Sequence, residues 1–203
     1  MRYSTPLILL LMATLAGCAG TPPPRDLNNA CSLLRHDGDW YAATKRTEER
    51  WGIPIQIQLA IMHQESRFRS DARPGRETVL GVPLWRRSSA YGYAQVKDGT
   101  WQWYKDKTGN TFASRTNFAD ASDFIGWYSE VSRRMLGISK WDAYNQYLAY
   151  HEGHTGWKRK SYLKKGWLIK VARKVKARAS TYGEQLRRCR GSLAEGGSPI
   201  PFF

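Results

Sequence analysis

The chain carries a regular series of helix start and stop signals, which constrains its fold more than any other feature. Asp, Ser and Pro residues suited to helix N-termini precede runs of periodically spaced apolar residues, and glycines suited to helix C-termini follow several runs. The predicted starts and stops are Asp39, Pro54, Asp98, Ser122 and Ser139, and Gly109, Gly137 and Gly153. Alternation of apolar and polar residues, which is typical of strands, is scarce. We therefore predict a single, mainly α-helical domain with a long arginine-rich loop, residues 70–90, after the second helix.

The first 17 residues have the features of an export signal. Arg2 supplies a positive charge, an apolar run follows, and small residues precede Cys18. The sequence of residues 15–18 resembles a bacterial lipobox, which implies cleavage before Cys18 and lipidation of that residue. Ala19 rather than aspartate follows, so the resemblance implies retention at the periplasmic face of the outer membrane. An ordinary signal peptide with a chance cysteine is the alternative.

Proline and glycine content defines the limits of the predicted domain. Residues 18–30 contain three consecutive prolines and form a semi-rigid linker. Residues 191–203 are rich in Gly and Pro and are predicted to be a flexible tail. The intervening residues, 31–190, are enough for one domain with a hydrophobic core.

The cysteine content predicts one disulfide bond. The chain has three cysteines, and lipidation of Cys18 leaves Cys31 and Cys189 in a protein addressed to an oxidising compartment. We therefore predict a Cys31–Cys189 bond that joins the two ends of the folded domain. Two free thiols are the alternative.

Positive charge is concentrated near the C-terminus. The net charge is +15, and residues 157–190 hold 13 Lys and Arg against one acidic residue. Such a surface predicts an anionic partner. The basic helix of residues 162–188 is most simply a solvated face, and contact with a membrane in addition to the lipid anchor is the alternative. Nucleic acid fits the charge, but an exported lipoprotein is not expected to meet it. The apolar stripe predicted for this helix consists of Leu163, Trp167, Val171, Val175, Ala179 and Tyr182.

Glu65 is the first candidate for chemistry. It shares one face of the second predicted helix with Ile61 and Met62, at spacings of four and three. A carboxyl group beside apolar surface has a raised pKa, as a general acid near neutral pH requires. An exposed glutamate paired with one of the arginines that follow is the alternative.

Three short motifs place Glu65 in a recognisable context. In chain order they are Glu65-Ser66, Gly92-Tyr93-Ala94-Gln95 and Ala149-Tyr150-His151-Glu152-Gly153. Together they resemble the signature motifs of soluble lytic transglycosylase (SLT) domains, which have a goose-type-lysozyme-like fold, over about residues 40–160. Two of the four positions of the second motif differ from the family pattern, and His151 stands where asparagine is usual. The resemblance therefore implies the family's chemistry with altered sugar contacts.

The resemblance implies a membrane-anchored lyase that cleaves the β-1,4 bond between N-acetylmuramic acid and N-acetylglucosamine in peptidoglycan and forms 1,6-anhydromuramoyl ends. Glu65 would be the single acid and base, and Ser66 would orient it or the substrate's N-acetyl group. Gln95 would lie in the sugar groove, and Tyr150 would hydrogen-bond near Glu65 and help to set its pKa. The expected substrate-binding residues are Ser66, Gln95, Tyr150, Gly92, Tyr93 and His151.

Several alternatives remain open at this stage. The same fold and acid support a hydrolytic lysozyme, or a peptidoglycan-binding scaffold without activity. Glu152 could act as a second carboxylate in an inverting hydrolase. His151 and His154 are three apart, with a helix-ending glycine between them, rather than four apart as in the helical zinc motif, so we predict no metal and no cofactor.

Overall fold

The computed structural model describes residues 22–79, 82–86 and 88–195. Its α-helices are α1 (Ala30–Arg35), α2 (Gly38–Trp51), α3 (Ile55–Ser66), α4 (Asp98–Thr108), α5 (Phe118–Leu136), α6 (Ala143–Lys158) and α7 (Gly166–Glu195), with a short 3-10 helix at Ser161–Lys164. The mainly helical prediction is confirmed. The predicted signal segment and Cys18 lie outside the described residues.

An antiparallel hairpin lies inside the segment predicted to be a loop. Its strands are β1 (Arg76–Val79) and β2 (Val82–Arg86). The sequence did not predict it, because the strands are very short and a register irregularity between Arg76 and Thr78 interrupts their pairing. The arginine-rich segment is therefore partly a hairpin and not entirely a loop.

α3 is the most enclosed helix, because most of its residues are buried. α2 packs tightly against α5: a Cβ on Gly126 would lie 2.6 Å from Thr47 Cγ2. α7 packs against α1, α3 and α6. Glu65 therefore lies in the last turn of a helix that the rest of the fold holds firmly.

Helix ends follow the predicted chemistry, although some caps are different residues. Gly109 and Gly137 end α4 and α5 in the left-handed conformation, as predicted. Asn117 rather than Ser122 caps α5, and Asp142 rather than Ser139 caps α6. Ser122 is instead fully buried and hydrogen-bonds to Gln58 of α3. The Gly153 stop is a break inside α6, which continues for a further turn.

The stripe predicted for the basic helix is only partly correct. Leu163 and Trp167 are 62% and 55% exposed, because Leu163 belongs to the separate 3-10 turn and Trp167 lies at the first turn of α7. The buried residues of α7 are Leu168, Ala172, Val175, Ala179, Tyr182, Leu186, Cys189 and Leu193. The helix also continues beyond Arg190 to Glu195, so residues 191–195 of the predicted tail are helical. Among the described helices, none combines the length and apolar character needed to cross a bilayer.

The predicted Cys31–Cys189 disulfide is confirmed and links α1 to α7. Hydrogen bonds accompany it: the Ala30 amide donates to Gln185 Oε1 at 2.7 Å, and the Tyr182 hydroxyl donates to the Leu27 carbonyl. The N-terminal helix is thus fixed to the C-terminal one by both covalent and polar contacts.

Candidate active site

A groove with a cavity volume of about 420 Å³ opens at the C-terminal end of α3. It is lined by Glu65, Ser88, Ala90, Gln95, Val96, Lys97, Thr100, Phe124, Tyr128, Tyr150, His151, Glu152 and Gly153. All three sequence motifs therefore contribute to one groove. Of the predicted site residues, Glu65, Gln95, Tyr150 and His151 line it, whereas Ser66, Gly92 and Tyr93 do not.

The end of α3 has an unusual backbone that keeps Glu65 at the groove. Arg67 and Phe68 follow it with φ values of 53° and 59°, and two consecutive non-glycine residues in this region are energetically unfavourable. The side chain of Phe68 is fully buried, 5.8 Å from the ring of Trp40. Burial of Phe68 stabilises this turn, which ends the helix immediately after Glu65 and Ser66.

Ser66 supports the helix rather than the groove. Its side chain is buried, and its hydroxyl donates to the Met62 carbonyl at 3.3 Å. The hydroxyl of Ser66 therefore bonds within α3, and Ser66 does not line the groove.

The environment of Glu65 raises its pKa. The residue keeps some exposure at the groove, but the carboxyl group itself is surrounded by side chains, and this burial raises its pKa to about 7. A hydrogen bond from the Tyr147 hydroxyl acts in the opposite direction, because it stabilises the carboxylate. Burial dominates, so Glu65 holds its proton up to neutral pH and is suited to donate it.

Tyr147 is a site residue that the sequence reasoning missed. It lies on α6, is buried, and contacts Glu65 from outside the groove lining. The available signal was its position three residues before Tyr150, which places both hydroxyls on neighbouring positions of one helix face. Burial, together with the nearby charge of Glu65, raises the pKa of Tyr147, so its hydroxyl remains a donor.

Tyr150 makes its hydrogen bond beside Glu65 in the groove wall. Its hydroxyl donates to the Ala94 carbonyl at 2.6 Å rather than to Glu65. Burial and the charge of Glu65 raise its pKa. Tyr150 thus joins α6 to the second motif and forms part of the groove wall, whereas the partner of the carboxyl group is Tyr147.

The second motif is a tight loop that presents Gln95 to the groove. Gln95 has a φ of 48°, and its amide nitrogen donates to the carbonyls of Ala72 and Gly92 at 2.7 and 2.8 Å. Because both partners are acceptors, the nitrogen is committed to the loop, and Oε1 is the atom left for a ligand. Tyr93 lies in the core instead, 2% exposed and 5.9 Å from the ring of Trp40, so it is not a groove residue.

Gly92 has a backbone role and gives a prediction. Its φ is 77°, and a Cβ at this position would lie 2.0 Å from the Arg115 carbonyl oxygen. We expect Gly92→Ala to lower the free energy of unfolding by about 2 kcal/mol and to displace Gln95. Gly99→Ala is a matched control, because nothing lies within 4 Å of its Cβ. Urea denaturation of both variants tests this, and equal stability would contradict it.

The third motif ends in an ion-paired cluster. The Glu152 carboxylate accepts hydrogen bonds from Lys165 Nζ at 2.7 Å and from the Ser161 hydroxyl, and it contacts His151 Nδ1 at 3.2 Å. Although burial opposes it, these contacts lower the pKa of Glu152. The carboxylate therefore stays ionised and engaged, which argues against its use as a free second base.

The two histidines of the third motif have separate partners. His154 is buried, stacks on the Tyr128 ring at 4.3 Å and contacts the Ser132 hydroxyl through Nε2. Burial lowers its pKa. Within residues 22–79, 82–86 and 88–195, no three His, Cys, Asp or Glu side chains come together as metal ligands.

A carboxyl group that burial keeps protonated in a groove is suited to act as the general acid in cleavage of a glycosidic bond. The family model described as "Transglycosylase SLT domain" matches residues 6–189, so the chain belongs to the SLT transglycosylase family. The protein is accordingly a lytic transglycosylase, a polysaccharide lyase that acts on peptidoglycan glycan strands. No curated protein and no solved structure shows significant similarity to it.

Proposed function

We propose that the enzyme cleaves the β-1,4 bond between N-acetylmuramic acid and N-acetylglucosamine without water, with Glu65 as the single acid and base. The observation that carries this proposal is the burial of the Glu65 carboxyl group at the groove, which raises its pKa to about 7. A carboxyl group with this pKa is protonated often enough to donate and ionised often enough to accept at neutral pH.

The reaction needs one carboxyl group because the substrate supplies the nucleophile. Protonated Glu65 donates to the bridging oxygen, and the bond from that oxygen to the muramic C1 breaks. The N-acetyl oxygen of the substrate stabilises the positive charge at C1. The Glu65 carboxylate then takes the proton of the muramic C6 hydroxyl, whose oxygen bonds to C1 and gives the 1,6-anhydro ring. Proximity within one sugar replaces an external nucleophile.

Hydrolysis by the same acid is the competing outcome, and it requires a water molecule in place of the C6 hydroxyl. A second carboxylate would favour it, but the ion pair with Lys165 and the hydrogen bond from Ser161 occupy Glu152. This arrangement supports the single-acid route.

Product analysis tests the reaction type. Mass spectrometry of fragments released from purified sacculi should show anhydromuramoyl ends. Reducing muramic ends, formed with uptake of solvent ¹⁸O, would make the enzyme a hydrolase and refute the proposal. Glu152→Gln measures the contribution of the second carboxylate, and we expect it to leave the product type unchanged.

Tyr147 gives a prediction about pH dependence. Its hydrogen bond lowers the pKa of Glu65, so Tyr147→Phe should raise that pKa. Activity that needs the protonated acid falls as pH rises through the pKa, and the alkaline limb of the kcat profile should therefore move to higher pH. We also expect kcat to fall by about tenfold, because the carboxylate formed during the reaction is less stabilised.

Tyr150→Phe is the matched control for Tyr147→Phe. It removes the hydrogen bond to the Ala94 carbonyl but none to Glu65. The alkaline limb of the kcat profile of Tyr150→Phe should therefore stay at the same pH as in the native protein, even if kcat falls. Equal shifts in both variants would contradict the role assigned to Tyr147.

We further propose that the mature protein is held at the periplasmic face of the outer membrane by lipid on Cys18. The lipobox-like residues 15–18 support this, as does the basic outer face of α7, where Lys170, Arg173 and Lys174 are exposed. Incorporation of a fatty-acid label that is lost in Cys18→Ala would support the anchor. Equal labelling of both proteins would refute it.

A further inference from the structure

A large aromatic side chain is exposed beside the groove. Trp167, at the first turn of α7, is 55% exposed, and its ring centroid lies 5.2 Å from that of His151 with the ring planes 81° apart. His151 itself lines the groove. The indole therefore continues the groove wall beyond the third motif rather than lying on an unrelated face.

The contacts of Glu152 hold this part of the wall in place. Its carboxylate binds Lys165, two residues before Trp167, and Ser161 of the 3-10 helix, and it contacts His151 Nδ1. Donation from Nδ1 to Glu152 leaves Nε2 as the other polar atom of the His151 ring. One buried carboxylate thus fixes the start of α7 and the orientation of the histidine, so the indole and imidazole are preorganised.

We propose that Trp167 and His151 form a distal saccharide subsite that binds a hexosamine ring of the glycan strand away from the bond that is cleaved. This rests on the proposed function, since the occupant is the same β-1,4-linked strand. The apolar C–H face of a pyranose ring stacks on an indole, and its hydroxyl or acetamido groups hydrogen-bond to His151 Nε2. The subsite would contribute binding that short fragments cannot use.

The position of Trp167 favours a glycan over a membrane surface as the occupant. Its neighbour Leu163 is also exposed, and Lys164 lies between them, which is a composition that suits a bilayer interface. However, the direct contact of Trp167 is with His151, a groove residue, and the ion pair that fixes it belongs to the groove wall. Because Trp167 is continuous with the groove wall, a glycan is the favoured occupant.

Binding measurements in a Glu65→Gln background test the subsite without cleavage. The ligands are β-1,4-linked N-acetylglucosamine oligomers of increasing length and peptidoglycan strands freed of their peptide stems. We expect Trp167→Ala to weaken binding of the long oligomers and strands by about tenfold, as for truncation of a buried aromatic contact, and to leave the shortest oligomers unaffected. Trp167→Phe should recover part of the loss.

Trp141→Ala is the matched control. Trp141 is 71% exposed and lies just before α6, outside the groove lining. Its removal should leave binding of all lengths unchanged, and the melting temperatures of the three variants should agree. Equal weakening by both alanine variants, a length-independent loss, or unchanged strand binding by Trp167→Ala would overturn the subsite. If Trp167→Ala binds strands normally but loses binding to anionic phospholipid vesicles, the occupant of this surface is a membrane and the subsite is overturned.

The design separates this inference from the proposed reaction. If the product analysis shows reducing ends, the proposed reaction fails, but a length-dependent loss in Trp167→Ala still supports the subsite. If anhydromuramoyl ends form and Trp167→Ala binds strands normally, the subsite fails alone. In the active protein, the subsite predicts a higher KM for long strands with little change in kcat.

Discussion

Glu65→Gln will reduce glycan cleavage by about a thousandfold or more while making the protein more stable at alkaline pH. Glutamine keeps the shape of the side chain but cannot donate or accept the proton. Activity is measured by release of soluble fragments from sacculi, and stability by thermal unfolding across a pH series. The two effects have one cause, because the burial that makes Glu65 an acid also makes its ionised form unfavourable.

The sign of the stability effect follows from the pKa shift. Glu65 has a pKa of about 7 in the folded protein and an ordinary value of 4.5 when unfolded. Below pH 4.5 the carboxyl group is protonated in both the folded and the unfolded protein, and it does not lower the free energy of unfolding. Between the two values the unfolded state ionises first, so folding stability is progressively lost, and above pH 7 the loss levels off at about 3 kcal/mol.

Because glutamine does not ionise, the free energy of unfolding of the variant does not decrease in this way as the pH rises. We expect it to melt roughly 6–12 °C above the native protein at pH 8 and at the same temperature at pH 4. Glu49→Gln is the control, since Glu49 is 62% exposed and forms only a surface pair with Lys45. A melting difference that does not change with pH would show that the carboxyl group is not buried as described, and retained cleavage would remove Glu65 from the reaction.

Loss of the Cys31–Cys189 bond will lower the free energy of unfolding by about 3–5 kcal/mol. The bond joins residues 158 positions apart, so its removal greatly enlarges the conformational freedom of the unfolded chain. The hydrogen bond from Ala30 to Gln185 remains in the folded protein and should keep α1 on α7. Urea denaturation of Cys31→Ala/Cys189→Ala measures the loss.

Two comparisons make the disulfide prediction specific. The native protein under reducing conditions should unfold at the urea midpoint of the double variant, and reductant should not affect that variant. The slope of the unfolding free energy against urea should increase, because the unlinked chain exposes more surface when it unfolds. An unchanged midpoint after complete reduction would refute the prediction.

Local sequence signals predicted much of the fold, but they did not predict which residues of a helix are buried by packing against its neighbours. Gly109 and Gly137 end helices because only a left-handed residue fits there, which is a local property. Trp167 fits the apolar spacing of α7 as well as Leu168 does, yet only Leu168 is buried. The buried face depends on how α7 meets α3 and α6, and that contact cannot be determined from periodicity alone.

The same distinction applies to the active site. Glu65, Gln95 and Tyr150 were predicted from motifs, and the groove brings them together. Tyr147 was missed because its contact with Glu65 is made between α6 and α3, and its spacing of three from Tyr150 gives a helix face but not a partner. Tyr93 was wrongly expected in the groove, because a motif gives a position in the chain but not the direction in which the side chain points.

The disulfide between α1 and α7 also determines how the molecule bears mechanical load. Tension applied between the two ends of the chain reaches Cys31 on one side and Cys189 on the other, and the covalent bond carries it directly between them. The enclosed segment, which contains α2 to α6 and the whole groove, lies outside this covalent load path. A domain pulled by its ends would thus keep Glu65 and its surroundings in place.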